Sequence, residues 1–105
     1  MERIEVDRDV MSYVVDITRE TRSDARTQVG VSPRGTQRLF ETARTRALLD
    51  GREYVVPDDV KAVARPVVAH RLVLTADARV EETTRDEVVG DILSAVSVPT
   101  VERRA

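Results

Sequence analysis

The sequence predicts an all-α fold: a small bundle of about four helices, with one short parallel β-bridge between two of the connecting loops. Three observations carry this expectation. Apolar residues recur at three- and four-residue spacing in four separate stretches. Those stretches are bounded by residues that start or stop helices. No stretch alternates apolar and polar residues for long enough to make a persistent strand. A chain of 105 residues is one domain by size. It is expected to span 1–105, with a leading segment at 1–6 and a frayed tail at 100–105.

In the leading segment Ile4 and Val6 alternate with charges, which suits an extended run against the core. Asp7 is the expected N-cap of a first helix over about 8–21, whose apolar stripe is Val10, Met11, Val14, Val15 and Thr18. Residues 21–28 are polar and read as a surface loop. The second helix starts at Pro33 and buries Leu39, Phe40, Ala43, Ala47 and Leu48, with Phe40 as the centrepiece. Gly51 then suits a left-handed termination. Residues 52–56 are extended, and Tyr54, Val55 and Val56 are the expected parallel partner of residues 29–31.

Pro57 opens the third helix, with Asp58 and Asp59 in the first turn, where acids complement the helix dipole. Its stripe is Val60, Val63, Ala64, Val67 and Val68. Pro66 lies inside that stripe and should kink the helix or restart it. Residues 75–83 read as a loop. Thr84 and Glu87 are spaced as a capping box for the last helix, with Val88, Val89, Ile92, Leu93 and Val96 inward and Pro99 marking its end.

Composition excludes several functions. The chain is 41% hydrophobic but only 3% aromatic, so its core must come from Val, Leu, Ile and Ala. It has no cysteine, which rules out disulfides, thiolate metal sites and a cysteine nucleophile. His70 has no second histidine near it, so a capping or boundary role is expected and no metal. No apolar run approaches the roughly 20 residues of a membrane span. Charged residues follow Met1 directly, so no signal peptide is visible and the cytoplasm is the expected compartment. The net charge of −2 argues against nucleic-acid binding and against a histone-like DNA binder. Lys61, the only lysine, is flanked by Val60 and Ala62, so the chain has no P-loop. Any nucleotide it meets must be held mostly by another domain.

The stretch Gly30-Val31-Ser32-Pro33-Arg34-Gly35-Thr36-Gln37-Arg38 is where chemistry is expected. Ser32 suits the N-cap and Pro33 suits N1. Arg34 then falls at N2, where the positive end of the helix disfavours a cation by roughly 0.3–1 kcal/mol. A guanidinium makes sense there if an anion is also present: helix starts bind phosphate, and arginine is its bidentate partner. Arg38, one turn on, is a weaker candidate for the same work. Gly30 is expected to allow a close backbone approach.

Gly30 to Gly35, Ala43-Arg44, Ala47-Leu48-Leu49-Asp50-Gly51-Arg52, Tyr54-Val55-Val56-Pro57-Asp58-Asp59-Val60 and Ala69-His70-Arg71-Leu72 together resemble the C-terminal lid domain of MoxR-type AAA+ ATPases. The resemblance runs from about Ile4 to about Pro99. It implies a helical lid that follows an ATP-binding core domain in a longer, chaperone-like ATPase. Within it Ser32-Pro33-Arg34 looks like the sensor-2 motif, which makes Arg34 the γ-phosphate contact. ATP and Mg2+ are then cofactors of the full-length parent, with none bound tightly by this chain, which alone is not an enzyme. The implied partners are the core domain, a neighbouring subunit of a ring, commonly a hexamer, and a von Willebrand factor A domain protein. Two positions depart from the pattern: Gly35 stands where alanine is common, and Val56 where threonine is common. The alternative reading is a stand-alone helical module for protein–protein interaction.

Overall fold

The computed structural model describes the backbone of residues 2–99 and the side chains of residues 7–99. Within that span the fold is all-α apart from one two-strand sheet. The expected frayed tail at 100–105 lies outside the described residues. Helix α1 covers Glu2–Ser23. Residues 2–6 are therefore helical, not extended, and Asp7 lies inside the helix instead of capping it. Glu2, Arg3 and Glu5 are good helix formers, and so brief an alternation does not override them. The buried stripe is Val10, Tyr13, Val14, Ile17, Thr18 and Thr21, so Val10, Val14 and Thr18 are inward as expected while the face turns toward Tyr13 and Ile17. Tyr13 and Ile17 are inside, while Met11 and Val15 are half-buried.

Strand β1, Thr27–Val29, pairs antiparallel with β2, Val73–Leu74, setting Thr27 against Leu74 and Val29 against Val73. The parallel bridge expected between 29–31 and 54–56 does not form. Its backbone groups are already used. The Val31 N–H donates to Thr21 Oγ1 at 2.9 Å, and its carbonyl accepts from Arg22 Nη1 at 2.6 Å. The Val56 N–H donates to Asp59 Oδ2 at 2.9 Å.

Helix α2, Pro33–Leu49, buries the four-residue row Gly35, Leu39, Ala43 and Ala47. Leu48, expected inside, is 59% exposed because it lies past the edge of that row. Phe40 is half-buried at the rim. The large buried side chains are Tyr13, Ile17, Leu39 and Leu72 instead. Asp50 caps α2, and Gly51 takes a φ of 82°, as its position suggested.

Helix α3, Pro57–Val68, runs unbroken through Pro66 and ends in a 3-10 turn at Ala69–Arg71. The helix does not restart at Pro66, and Pro66 and Ala62 both lie on the exposed side. There, water can meet the carbonyl that Pro66 leaves unbonded. His70 occupies the boundary turn and is exposed. Residues expected as a loop contain a short helix, α4, Ala76–Val80, whose N-cap Thr75 accepts from the Ala78 N–H. Helix α5, Arg85–Ala95, starts on the expected capping box, with both Thr84–Glu87 bonds at 3.1 Å. It ends at Ala95, ahead of Pro99.

Helices α2 and α3 are joined by a fully buried carboxylate. Asp59, with no exposed surface, accepts from Arg46 Nη1 at 2.8 Å. Arg52 binds it through both branches of its fork, at 2.6 and 2.8 Å. The Val56 N–H completes the set, so Asp59 supplies the cap that valine cannot. Burial pushes this carboxyl up, but the hydrogen bonds from Arg52, Val56 and Arg46 outweigh it and hold it below the usual carboxylate range. Asp24 is lowered too, chiefly by its hydrogen bond from Arg26.

Replacing Asp59 by Ala leaves two guanidiniums facing an apolar gap. The domain is expected to lose about 3 kcal/mol, read from the denaturant midpoint at neutral pH. Since the folded-state pKa lies below the unfolded value of about 3.9, the contribution of Asp59 is complete above that value and is lost as pH falls through the folded pKa. Stability should therefore fall below about pH 4. That acid limb should be flatter in Asp59→Asn; an unchanged limb would show that the ion cluster does not couple to folding.

Candidate functional site at the start of helix α2

The start of α2 is built largely by α1. Thr21 and Arg22, in the last turns of α1, take both backbone polar groups of Val31. Thr18 Oγ1 accepts from Thr36 Oγ1 at 3.0 Å, tying α1 to the first turn of α2. Gly30 crosses so close to α1 that a β-carbon there would lie 2.7 Å from the Arg22 backbone. This is the close approach the sequence suggested. Ser32 then caps the helix, its hydroxyl accepting from the Gly35 N–H at 3.2 Å, and Pro33 follows at N1.

Arg34 stands at N2 and is exposed. Among the described residues its guanidinium has no hydrogen bond or ion pair, and the first turn carries no acid. Arg38 is exposed four residues on, on the same side of the helix, and its side chain also lacks a partner there. The two predicted residues thus share one open face.

Arg71 was missed by sequence reasoning. Its side chain leaves the 3-10 turn and crosses the first turn of α2, with Nη1 donating to the Val67 carbonyl at 2.7 Å. A β-carbon on Gly35 would sit 3.0 Å from Arg71 Cδ and 2.7 Å from Val31 Cγ1. Gly35 is thus the notch through which Arg71 passes. It was the available signal: a glycine in a first turn that would otherwise favour alanine.

The arrangement offers exposed cations and an uncompensated helix start, with no acid in the first turn of α2. Among the described residues no three His, Cys, Asp or Glu side chains gather as a metal site. A shallow cavity of about 430 Å³ is lined by Arg65, Asp86, Glu87, Gly90, Asp91 and Ser94, away from Arg34. No helix among the described residues is long and apolar enough to cross a membrane.

Residues 19–92 match the AAA lid domain family. The chain belongs to that family. It is 38% identical over its whole length to uncharacterized protein YeaC of Bacillus subtilis (strain 168), of which it covers 32%. It is 38% identical over 88% of its length to chaperone MoxR1 of Mycobacterium tuberculosis, covering 27% of that protein. A crystal structure from Cytophaga hutchinsonii, assigned as an ATPase, superposes with a TM-score of 0.84 at 25% identity, over 94% of this lid and 33% of the larger chain. The lid thus spans about a third or less of these curated relatives, and the MoxR resemblance read from its motifs is matched by the name of the Mycobacterium tuberculosis protein.

Within this AAA lid, Gly35→Ala should run against helix propensity. Alanine would normally add about 1 kcal/mol in a helix. Here its methyl meets Val31 and Arg71, so the variant should melt below wild type. A gain in melting temperature would show that the notch has slack.

Proposed function

We propose that this chain is the lid of a MoxR-type AAA+ ATPase with a chaperone-like role, and that Arg34 contacts the γ-phosphate of ATP held by a core domain outside this chain. The observation that carries the proposal is the free guanidinium of Arg34 at an acid-free helix start. Family membership and the MoxR-named relatives support the setting. Bound ATP and its Mg2+ supply the reacting phosphate and most of the charge neutralisation. This chain's part is to orient Arg34 and the free Arg34 N–H toward the phosphoryl oxygens and to exclude water by covering them. Arg38 would assist from the same face. On hydrolysis the contact to Arg34 is lost, and that difference is what can turn the lid against the core. By the same family logic we assign the parent to the cytoplasm, in a ring where the neighbouring subunit touches the lid, commonly a hexamer, with a von Willebrand factor A domain protein as a partner.

A stand-alone interaction module is the second reading. It is favoured by Leu48 and Leu49, exposed by 59% and 83% at the end of α2. The relatives' greater length favours the lid, because a domain embedded in a longer chain leaves such residues for its neighbours.

The test is Arg34→Ala in the full-length ATPase that contains this lid. Turnover should fall at least about tenfold while the lid's melting transition stays put. The 105-residue chain alone should not hydrolyse ATP. Wild-type turnover from the variant would overturn the role given to Arg34.

A further inference from the structure

We infer that Thr21 and Arg22 are positioning residues for Arg34: they hold the start of α2 against α1 so that the guanidinium is presented at one fixed place. The inference rests on the proposed role of Arg34. Its own basis is the way Val31 is held. A residue between two helices normally leaves its backbone groups to water or to a strand. Here Thr21, fully buried, takes the N–H at 2.9 Å, and Arg22 takes the carbonyl at 2.6 Å. The Val31 side chain is itself fully buried. On one side, Gly30 has no room for a β-carbon above Arg22. On the other, Ser32 caps α2 and Thr36 bonds Thr18. The peptide groups three residues before Arg34 therefore cannot rotate without breaking bonds to α1.

The clamp has the form needed where a reacting group must be placed within a fraction of an ångström, because a misplacement of about 1 Å can cost about a hundredfold in rate. The two residues touch no phosphate. They act through the peptide of Val31, and any shift they allow is carried along the first turn of α2 to Arg34.

The experiment is a double-mutant cycle in the full-length ATPase containing this lid. The variants are Thr21→Val, Arg22→Gln and Arg34→Ala, singly and with each clamp variant joined to Arg34→Ala. Turnover and the lid's melting temperature are read for all. Thr21→Val and Arg22→Gln should each lower turnover about tenfold, and should lower it no further once Arg34 is alanine. Their melting shifts should be the same in both backgrounds. Thr21→Ser, which keeps the hydroxyl, should restore turnover. If the clamp variants lower turnover by the same factor with and without Arg34, or leave it unchanged alone, the inference fails while the role of Arg34 stands. If Arg34→Ala turns over like wild type, the role of Arg34 fails and the clamp has nothing to position. Arg22 is exposed, so Arg22→Gln decides the matter if Thr21→Val does not fold.

Discussion

The packing of α2 on α3 depends on the buried ion cluster of Asp59. A carboxylate without any exposure survives only when its oxygens are filled, since its desolvation costs several kcal/mol. Arg52 fills both oxygens through its planar fork, and Arg46 and the Val56 N–H fill the remaining places. The last turn of α2, the connector and the first turn of α3 therefore meet at a single point. Lysine cannot substitute here, because one ammonium cannot span two oxygens with this geometry. This accounts for part of the chain's preference for arginine over lysine.

Other arginines do related work. Arg22, Arg65 and Arg71 each donate to a backbone carbonyl, of Val31, Asp86 and Val67. Arg65 and Arg71 also lie against glycines: a β-carbon on Gly90 would come within 2.8 Å of Arg65 Nη2, and one on Gly35 within 3.0 Å of Arg71 Cδ. In a core with almost no aromatic rings, long side chains with flat polar ends bridge gaps that bulky residues would otherwise fill. The glycines are the places where those bridges cross a helix. Helix α2 is thereby fixed at both ends, by ions and connector at its C-terminus and by neutral and charged hydrogen bonds to α1 at its N-terminus.

What the sequence made legible was local. Helix starts at Pro33, Pro57 and Thr84 follow from side chains that satisfy their own first turns, and the left-handed Gly51 follows from its lack of a β-carbon. The exposed pair Arg34 and Arg38 also followed from spacing alone. What stayed hidden depends on residues far apart in the chain. The β-bridge was given the wrong partner because nothing in residues 29–31 shows that Thr21 and Arg22 have already claimed the Val31 backbone. The α1 stripe was right at Val10, Val14 and Thr18 but took in Met11 and Val15 in place of Tyr13 and Ile17, which are as helical in spacing, and only packing selects between them. Leu48 reads as core by type and is outside by angle. Gly35 hinted at a close approach, but only the fold shows that Arg71 is what crosses it.

Arg34 takes no part in these bonds. Arg22, Arg26, Arg46, Arg52, Arg65 and Arg71 end on a carbonyl or a carboxylate. Arg34 ends on nothing among the described residues and stands where its own helix repels it. The penalty is small, roughly 0.3–1 kcal/mol, and one acidic residue in the first turn would remove it. Such a residue would also neutralise the helix start and compete for the guanidinium with any incoming anion. On the proposed reading, the empty first turn is what makes the contact differential. Each unit of charge that Arg34 has not spent inside its own domain is available to a phosphate, and only while that phosphate is present. On the same reading, a lid held at both ends of α2 would pass a local electrostatic difference on to the whole domain.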